Sequence, residues 1–448
     1  MFGILMLTSL YLTKNARTQL EQVIAKLDRT DPHWRLEDLE KDFPPLPDNA
    51  NNALIIQQIV NEKPANWPSE ATQQQLGRLD PQRKLDASQA LRLKKEMERS
   101  PSTTTLIRKL ADVPHGYLRI IWAPDGISTL LPLVQKSREV AEIAKYDAIF
   151  RAQEQDFDGA LESCRAILIA GRSVDPCSTL IQGLVRFAIR AVCLSEVERT
   201  LAQGEPSEAA LATLQNLLEG ELAQPILRQG FRGERAMSYR AIEVAFKSSS
   251  SKADLAGLGM PLVSQAGPFG KIVAFLLTPF MGSAESNQIM CLETLTELFE
   301  VTKLPETEQG PTFSRIDAMA KDWRQPLLFR MLLPSITKVR EADLRSKAWM
   351  RSAIASIAAE RYRRKHGAWP EKLETLVPAE LKEVGIDPYN GEPLIFKRLP
   401  DGLVIYSVGQ NRIDDGGLLG GADIGFRLWD VNQRRQKPDA EDKKEREK

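Results

Sequence analysis

The stretch over residues 354–428 constrains the fold most, because it sets four kinds of chain punctuation in one order. An Ala-rich run of helical period leads into Lys365-His366-Gly367, where Gly367 can take the positive φ that ends a helix. Trp369-Pro370 follows. Pro370 suits the first position of a short helix that Leu373 and Leu376 would pack back on the long one. Asp387-Pro388-Tyr389-Asn390-Gly391 contains two turn signals, Asp-Pro and Asn-Gly. Residues 394–396 and 403–406 read as strands joined at Pro400-Asp401-Gly402, and 424–428 as a third returning strand. The acidic glycine loop Asp414-Asp415-Gly416-Gly417 lies between the second and third.

Upstream, apolar residues recur at helical spacing, and only 6% of the 448 residues are aromatic, which favours helix over sheet. Helices are expected over 15–27, 49–60, 87–99 and 103–110, with a short amphipathic one carrying Trp34, Leu36 and Leu39. Residues 61–86 read as loop with one short helix, and 117–122 as the first strand-like or merely extended run. From 130 onward the pattern is helical hairpins: 133–151, 160–170 closed by Gly171, 178–201, and 208–219 capped by Ser207. Helices are expected again over 233–246, 288–301, 316–323, 327–333 and 336–363, with 305–311 as loop. Turn residues recur every 20–30 residues here, and Asp156-Phe157-Asp158-Gly159-Ala160-Leu161 resembles a tetratricopeptide-like repeat. The expected fold class is mainly α, with antiparallel helical hairpins of tetratricopeptide-like type. A small C-terminal α+β module closes it, a long helix with a two- or three-stranded antiparallel sheet.

The chain divides by composition into five parts: an apolar segment over 1–14, a helical region over 15–129, a helical-hairpin body over 130–340, an α+β module over 341–430, and a charged, disordered tail over 431–448. A serine run at 248–251 and nearby glycines mark a mobile insertion near 247–262. The nine apolar residues of 272–280 are too few to span a bilayer and read as buried core. Residues 2–12 are an apolar run of 11, followed by Lys14 and Arg17. They read as the inner end of a truncated transmembrane anchor; the alternative is a helix that packs on the protein itself.

Lys+Arg and Asp+Glu both number 60, so the formal net charge is zero, which excludes binding of nucleic acid through a global basic field. His33, His115 and His366 are too few and too scattered for a His-based zinc site or a Ser-His-Asp triad. Cys164, Cys177, Cys193 and Cys291 show no Cys-x-x-Cys spacing and read as small buried hydrophobes. Phosphate-loop, nucleophile-elbow, HExxH and dinucleotide motifs do not occur in the sequence. The pairs Glu234-Arg235 and Glu360-Arg361 read as solvated surface charges.

The order His366-Gly367-x-Trp369-Pro370, Asp387-Pro388-Tyr389-Asn390-Gly391, Tyr406-Ser407-Val408-Gly409, Asp414-Asp415-Gly416-Gly417, Ala422-Asp423-Ile424 resembles the C-terminal half of type II secretion major pseudopilins. The resemblance covers about 85 of the 448 residues. The whole chain is similar to large, membrane-anchored envelope proteins of planctomycete-type bacteria. Phe2-Gly3-Ile4-Leu5 departs from the prepilin-peptidase signature, and a long helical body precedes the module. The pseudopilin resemblance implies a calcium ion pinning the last loop, with Asp414, Asp415 and Asp423 as carboxylate ligands and Gly416, Gly417, Gly420 and Gly421 letting carbonyls turn inward.

The expected function is a non-enzymatic scaffold of the cell envelope that binds protein partners, held at the membrane by its N-terminal segment with its body outside the cytoplasm. One alternative is a secretion- or pilus-associated subunit with a calcium-stabilised module. Another is an enzyme whose site lies in the helical body.

Overall fold

Good helix formers and well-placed caps carry the chain through fourteen described helices before any strand forms. The computed structural model describes residues 2–247 and 283–438, apart from positions 40, 42, 44, 78, 176, 177 and 334, with side chains from residue 15 onward. The insertion expected near 247–262 and the apolar run at 272–280 lie outside the described residues, apart from Lys247, which ends a helix.

The first half comprises α1 (Phe2–Thr30), α2 (Asn52–Glu62), α3 (Glu70–Leu76), α4 (Ala87–Glu98), α5 (Pro101–Leu110), α6 (Pro132–Gln153), α7 (Phe157–Arg172) and α8 (Leu180–Gln203). It continues as α9 (Glu208–Leu222), α10 (Ile226–Lys247), α11 (Ala284–Val301), α12 (Glu306–Lys321), α13 (Leu327–Leu332) and α14 (Ile336–His366). Local chemistry explains several starts. Asp86 forms a capping box with Gln89 at α4, Asp156 accepts from the Gly159 amide at α7, and Ser207 accepts from the Ala210 amide at α9. Gly367 ends α14 with φ 75°.

Three strands follow: β1 (Ile395–Leu399), β2 (Gly402–Ser407) and β3 (Ile424–Trp429). They form one antiparallel sheet in the order β1-β2-β3, with Ile395 opposite Tyr406 and Ser407 opposite Ile424. The long helix α14 lies across β2 and β3 and also packs on α8 and α9. One continuous core therefore runs from Ile56 and Leu93 through α6–α9 and α14 to Leu403, Ile405 and Phe426 of the sheet. A second core joins α10–α13 around Phe231, Phe313 and Phe329.

The transmembrane expectation is overturned. The apolar run at 2–12 enters a helix of 29 residues that turns amphipathic, and no helix among the described residues is long and apolar enough to cross a membrane. Leu20 and Leu27 of that helix are buried against Trp34 and Leu292 instead.

Smaller differences have local causes. Trp34, Leu36 and Leu39 are buried as expected, but on turns, with the Trp34 Nε1–H donating to Asp28 at 2.9 Å. Residues 306–311 are helical despite Pro311, because Phe313 and Ile316 on the same helix are buried. Gly171 lies inside α7, not past its end, because Ile189 packs 3.1 Å from where its Cβ would be. Pro370 opens no helix; a 3₁₀ turn forms later, at Leu373–Leu376. The chain at 117–122 is extended without forming a strand. The tail, expected to be disordered from 431 on, is bonded to the body as far as Lys437. The Gln436 amide donates to Gln82 O at 2.7 Å, and Lys437 O accepts from Arg83 at 3.0 Å.

Candidate functional site

The loop from Gly409 to Asp423 is shaped by its glycines. Gly409, Gly416, Gly417 and Gly420 all have positive φ, and a Cβ on Gly409 would fall 2.0 Å from Ala422 O. Asp423 is 2% exposed, and its carboxylate accepts the Gly417 amide at 2.8 Å and the Asp415 amide at 3.4 Å. Asp414 accepts the Tyr406 hydroxyl at 2.7 Å and the Gly416 amide at 2.8 Å. These bonds, the Tyr406 one first, hold its carboxyl below the usual range. Asp415 is exposed and accepts from Asn411 at 2.9 Å. The carboxylates of Asp414 and Asp423 thus close the loop on its own N–H groups and on Tyr406. Among the described residues no group of three acidic, His or Cys side chains is placed to hold a metal ion.

The turn before the sheet is equally self-contained. Asp387 is 1% exposed and accepts from the Ser407 hydroxyl at 2.8 Å, the Val408 amide at 2.8 Å and the Tyr389 amide at 2.9 Å. Asp-Pro-Tyr-Asn-Gly is therefore a clamp that fixes the end of β2.

The perturbed groups that motif reading missed are deeper. Glu221 of α9 is fully buried and holds three arginines. It accepts from Arg172 of α7 at 2.7 Å and from Arg186 and Arg190 of α8 at 2.7 and 2.9 Å. Burial raises its pKa, but the attraction of Arg186 and Arg190 outweighs burial and leaves it far below the usual carboxylate range.

Glu360 and Glu234 correct the surface-pair expectation. Glu360 is fully buried. It accepts from Arg434 at 2.8 and 3.0 Å and from Arg363 at 2.7 and 3.1 Å. Glu234 accepts the Leu180 amide at the start of α8, and Arg235, 1% exposed, pairs with Asp31. Burial pushes the Glu234 carboxyl up to about 7. One signal for Glu360 was legible: it ends the run Ile354-Ala355-Ser356-Ile357-Ala358-Ala359, which leaves little polar face for solvent. Cys164, Cys193 and Cys291 are buried thiols, as expected, and Cys177 lies outside the described residues.

A cavity of about 340 Å³ lies between α6, α8 and the chain at Leu76, Gly77, Leu79 and Pro81. Leu76, Leu79, Ile149 and Val192 give it apolar walls, and Lys145, Glu196 and Arg199 bring charge to it. Ser195, also lining it, is solvent-exposed and marks its mouth. Glu196 is 6% exposed, and burial pushes its carboxyl up to about 7 against the pull of Arg199 and Lys145. Arg199 is 5% exposed and donates to Asp80 O and Arg83 O, both at 3.0 Å. Its Nε–H has no partner among the described residues. Burial lowers its pKa to about 10. Lys145 pairs with Glu142 at 2.9 Å.

Comparison with protein-family models, with curated proteins and with solved structures finds no match for the chain.

Proposed function

We propose that the protein is a non-enzymatic interaction scaffold of the cell envelope, in which stacked helical hairpins present a surface to a protein partner. The observation that carries this reading is Glu221. A buried carboxylate on α9 that takes arginines from both α7 and α8 ties three successive helices together. Such a group serves rigidity, and ion-pair networks of this kind perturb pKa values without chemistry. The tetratricopeptide-like character belongs to the same proposal. It is supported by α6 packing on both α7 and α8, while α7 packs on α8 and α9. The C-terminal module then caps the stack, tied through Glu360 and Arg434.

The test is site-specific photo-crosslinking in an envelope fraction. Cross-linkers replace Ile181 and Leu184, which are 59% and 37% exposed on α8, and Lys382, which is exposed on the module. A discrete protein adduct from the α8 positions is expected. An adduct from Lys382 alone would favour the secretion-subunit reading. Absence of adducts at every position would remove the scaffold reading.

A further inference from the structure

We propose that the cavity between α6, α8 and the chain at Leu76, Leu79 and Pro81 is a binding site for a small molecule that joins one carboxylate to a short apolar body. This site is independent of the scaffold surface. Its volume, about 340 Å³, is at the lower end of ligand pockets, roughly 300–1,000 Å³. The walls divide by chemistry. Leu76, Leu79, Ile149 and Val192 offer apolar surface, and the charged groups gather from two helices.

Arg199 is the anchor. Its two Nη groups are fixed on backbone carbonyls, so the guanidinium is held in place, while its buried Nε–H is left unpaired among the described residues. A buried donor without an acceptor is left desolvated and uncompensated, and a ligand oxygen would relieve it. Lys145, paired with Glu142 at 2.9 Å, adds a second cation from α6, and its ammonium keeps further donors beyond that one bond. Glu196 makes no side-chain hydrogen bond among the described residues. Neutral at mildly acid pH, it can donate its O–H to a carboxylate, which a second anion could not do. Two cations and a carboxylic acid beside apolar walls select an anionic head with a hydrocarbon tail. They disfavour an ammonium head.

The experiment is calorimetric titration of the full chain with octanoate at pH 6.5, beside octan-1-ol, octylammonium and inorganic phosphate. The expected result is saturable 1:1 binding of octanoate, at least tenfold tighter than octan-1-ol or phosphate, with no binding of octylammonium. Lys145→Met is expected to weaken octanoate at least fivefold, and Val192→Trp to abolish its binding by filling the cavity. Ser195→Phe blocks the mouth from an exposed position, so it keeps the test open should the Trp variant not fold. No saturable octanoate binding overturns the proposal. Equal binding of octan-1-ol or phosphate does so as well. Octanoate binding unchanged in Lys145→Met and Ser195→Phe would put the ligand elsewhere and also overturn it.

Discussion

Removing the Arg434 guanidinium is the sharpest perturbation of how the C-terminal module is held. Arg434 is 7% exposed and reaches Glu360 through both terminal nitrogens, at 2.8 and 3.0 Å. It also donates to Trp429 O at 3.0 Å and Gly204 O at 2.8 Å. One side chain therefore ties the end of β3, the α8–α9 connection and the C-terminal third of α14. Arg434→Met keeps the aliphatic stem and deletes those four bonds. Breaking a buried pair from one side costs about 3–5 kcal/mol, because a charge is left behind in a poor solvent. Glu360 keeps Arg363, so the lower end, about 3 kcal/mol, is expected. Urea unfolding reads this as a lower midpoint at unchanged slope, and hydrogen exchange should show β3 opening first. The double variant Glu360→Met/Arg434→Met should lose less than the sum of its parts, with a coupling of about 2 kcal/mol.

The pH dependence follows from the same pair. Burial raises the Glu360 pKa, but the hydrogen bonds of Arg363 and Arg434 outweigh it, and the net shift is downward. A depressed carboxyl contributes stability that is present above its unfolded value and lost as pH falls through the folded one. The deficit of Arg434→Met should therefore shrink in acid. A loss under about 1 kcal/mol, or additive single variants, would refute the reasoning, since a solvated Glu360 gives that result.

Three further outcomes are expected. Glu196 titrates near 7 when folded and near 4.5 when unfolded, so the native state holds the extra proton between those values and its contribution falls as pH rises through them. Glu196→Gln should accordingly stabilise the protein by up to about 3 kcal/mol at pH 8 and by little at pH 4, checked by urea midpoints; equal effects at both would contradict the assignment. Gly409→Ala forces a side chain into a left-handed backbone at φ 65° and against Ala422 O, and should cost about 2 kcal/mol in a thermal melt, while a neutral substitution would show that the loop relaxes freely. Millimolar Ca²⁺ should leave the melting temperature where EDTA leaves it, because Asp414 and Asp423 are engaged by donors of the module itself; a rise that Asp414→Ala/Asp415→Ala abolishes would restore a calcium site.

Local chemistry was readable because it acts over a few residues. Ser207 as a cap, Gly367 as a helix stop, the Asp-Pro and Asn-Gly turn, the Pro400-Asp401 hairpin and the return of a third strand all rest on neighbouring atoms. The helical period likewise set most elements before any tertiary contact was known. Three-dimensional packing decided the rest. Glu360-Arg361 and Glu234-Arg235 read alike as solvated pairs, yet Glu360 and Arg235 are buried because their partners, Arg434 and Asp31, come from 74 and 204 residues away. The acidic loop reads as a run of carboxylates, and only folding brings Tyr406 and the loop amides onto Asp414 and Asp423. The cavity has no motif at all, since Lys145 and Arg199 meet only when α6 and α8 pack. Spacing along a chain fixes what a residue can do for its neighbours. Whether a charge ends in water, in an ion pair or beside a cavity depends on distant segments excluding solvent, and no local pattern carries that term.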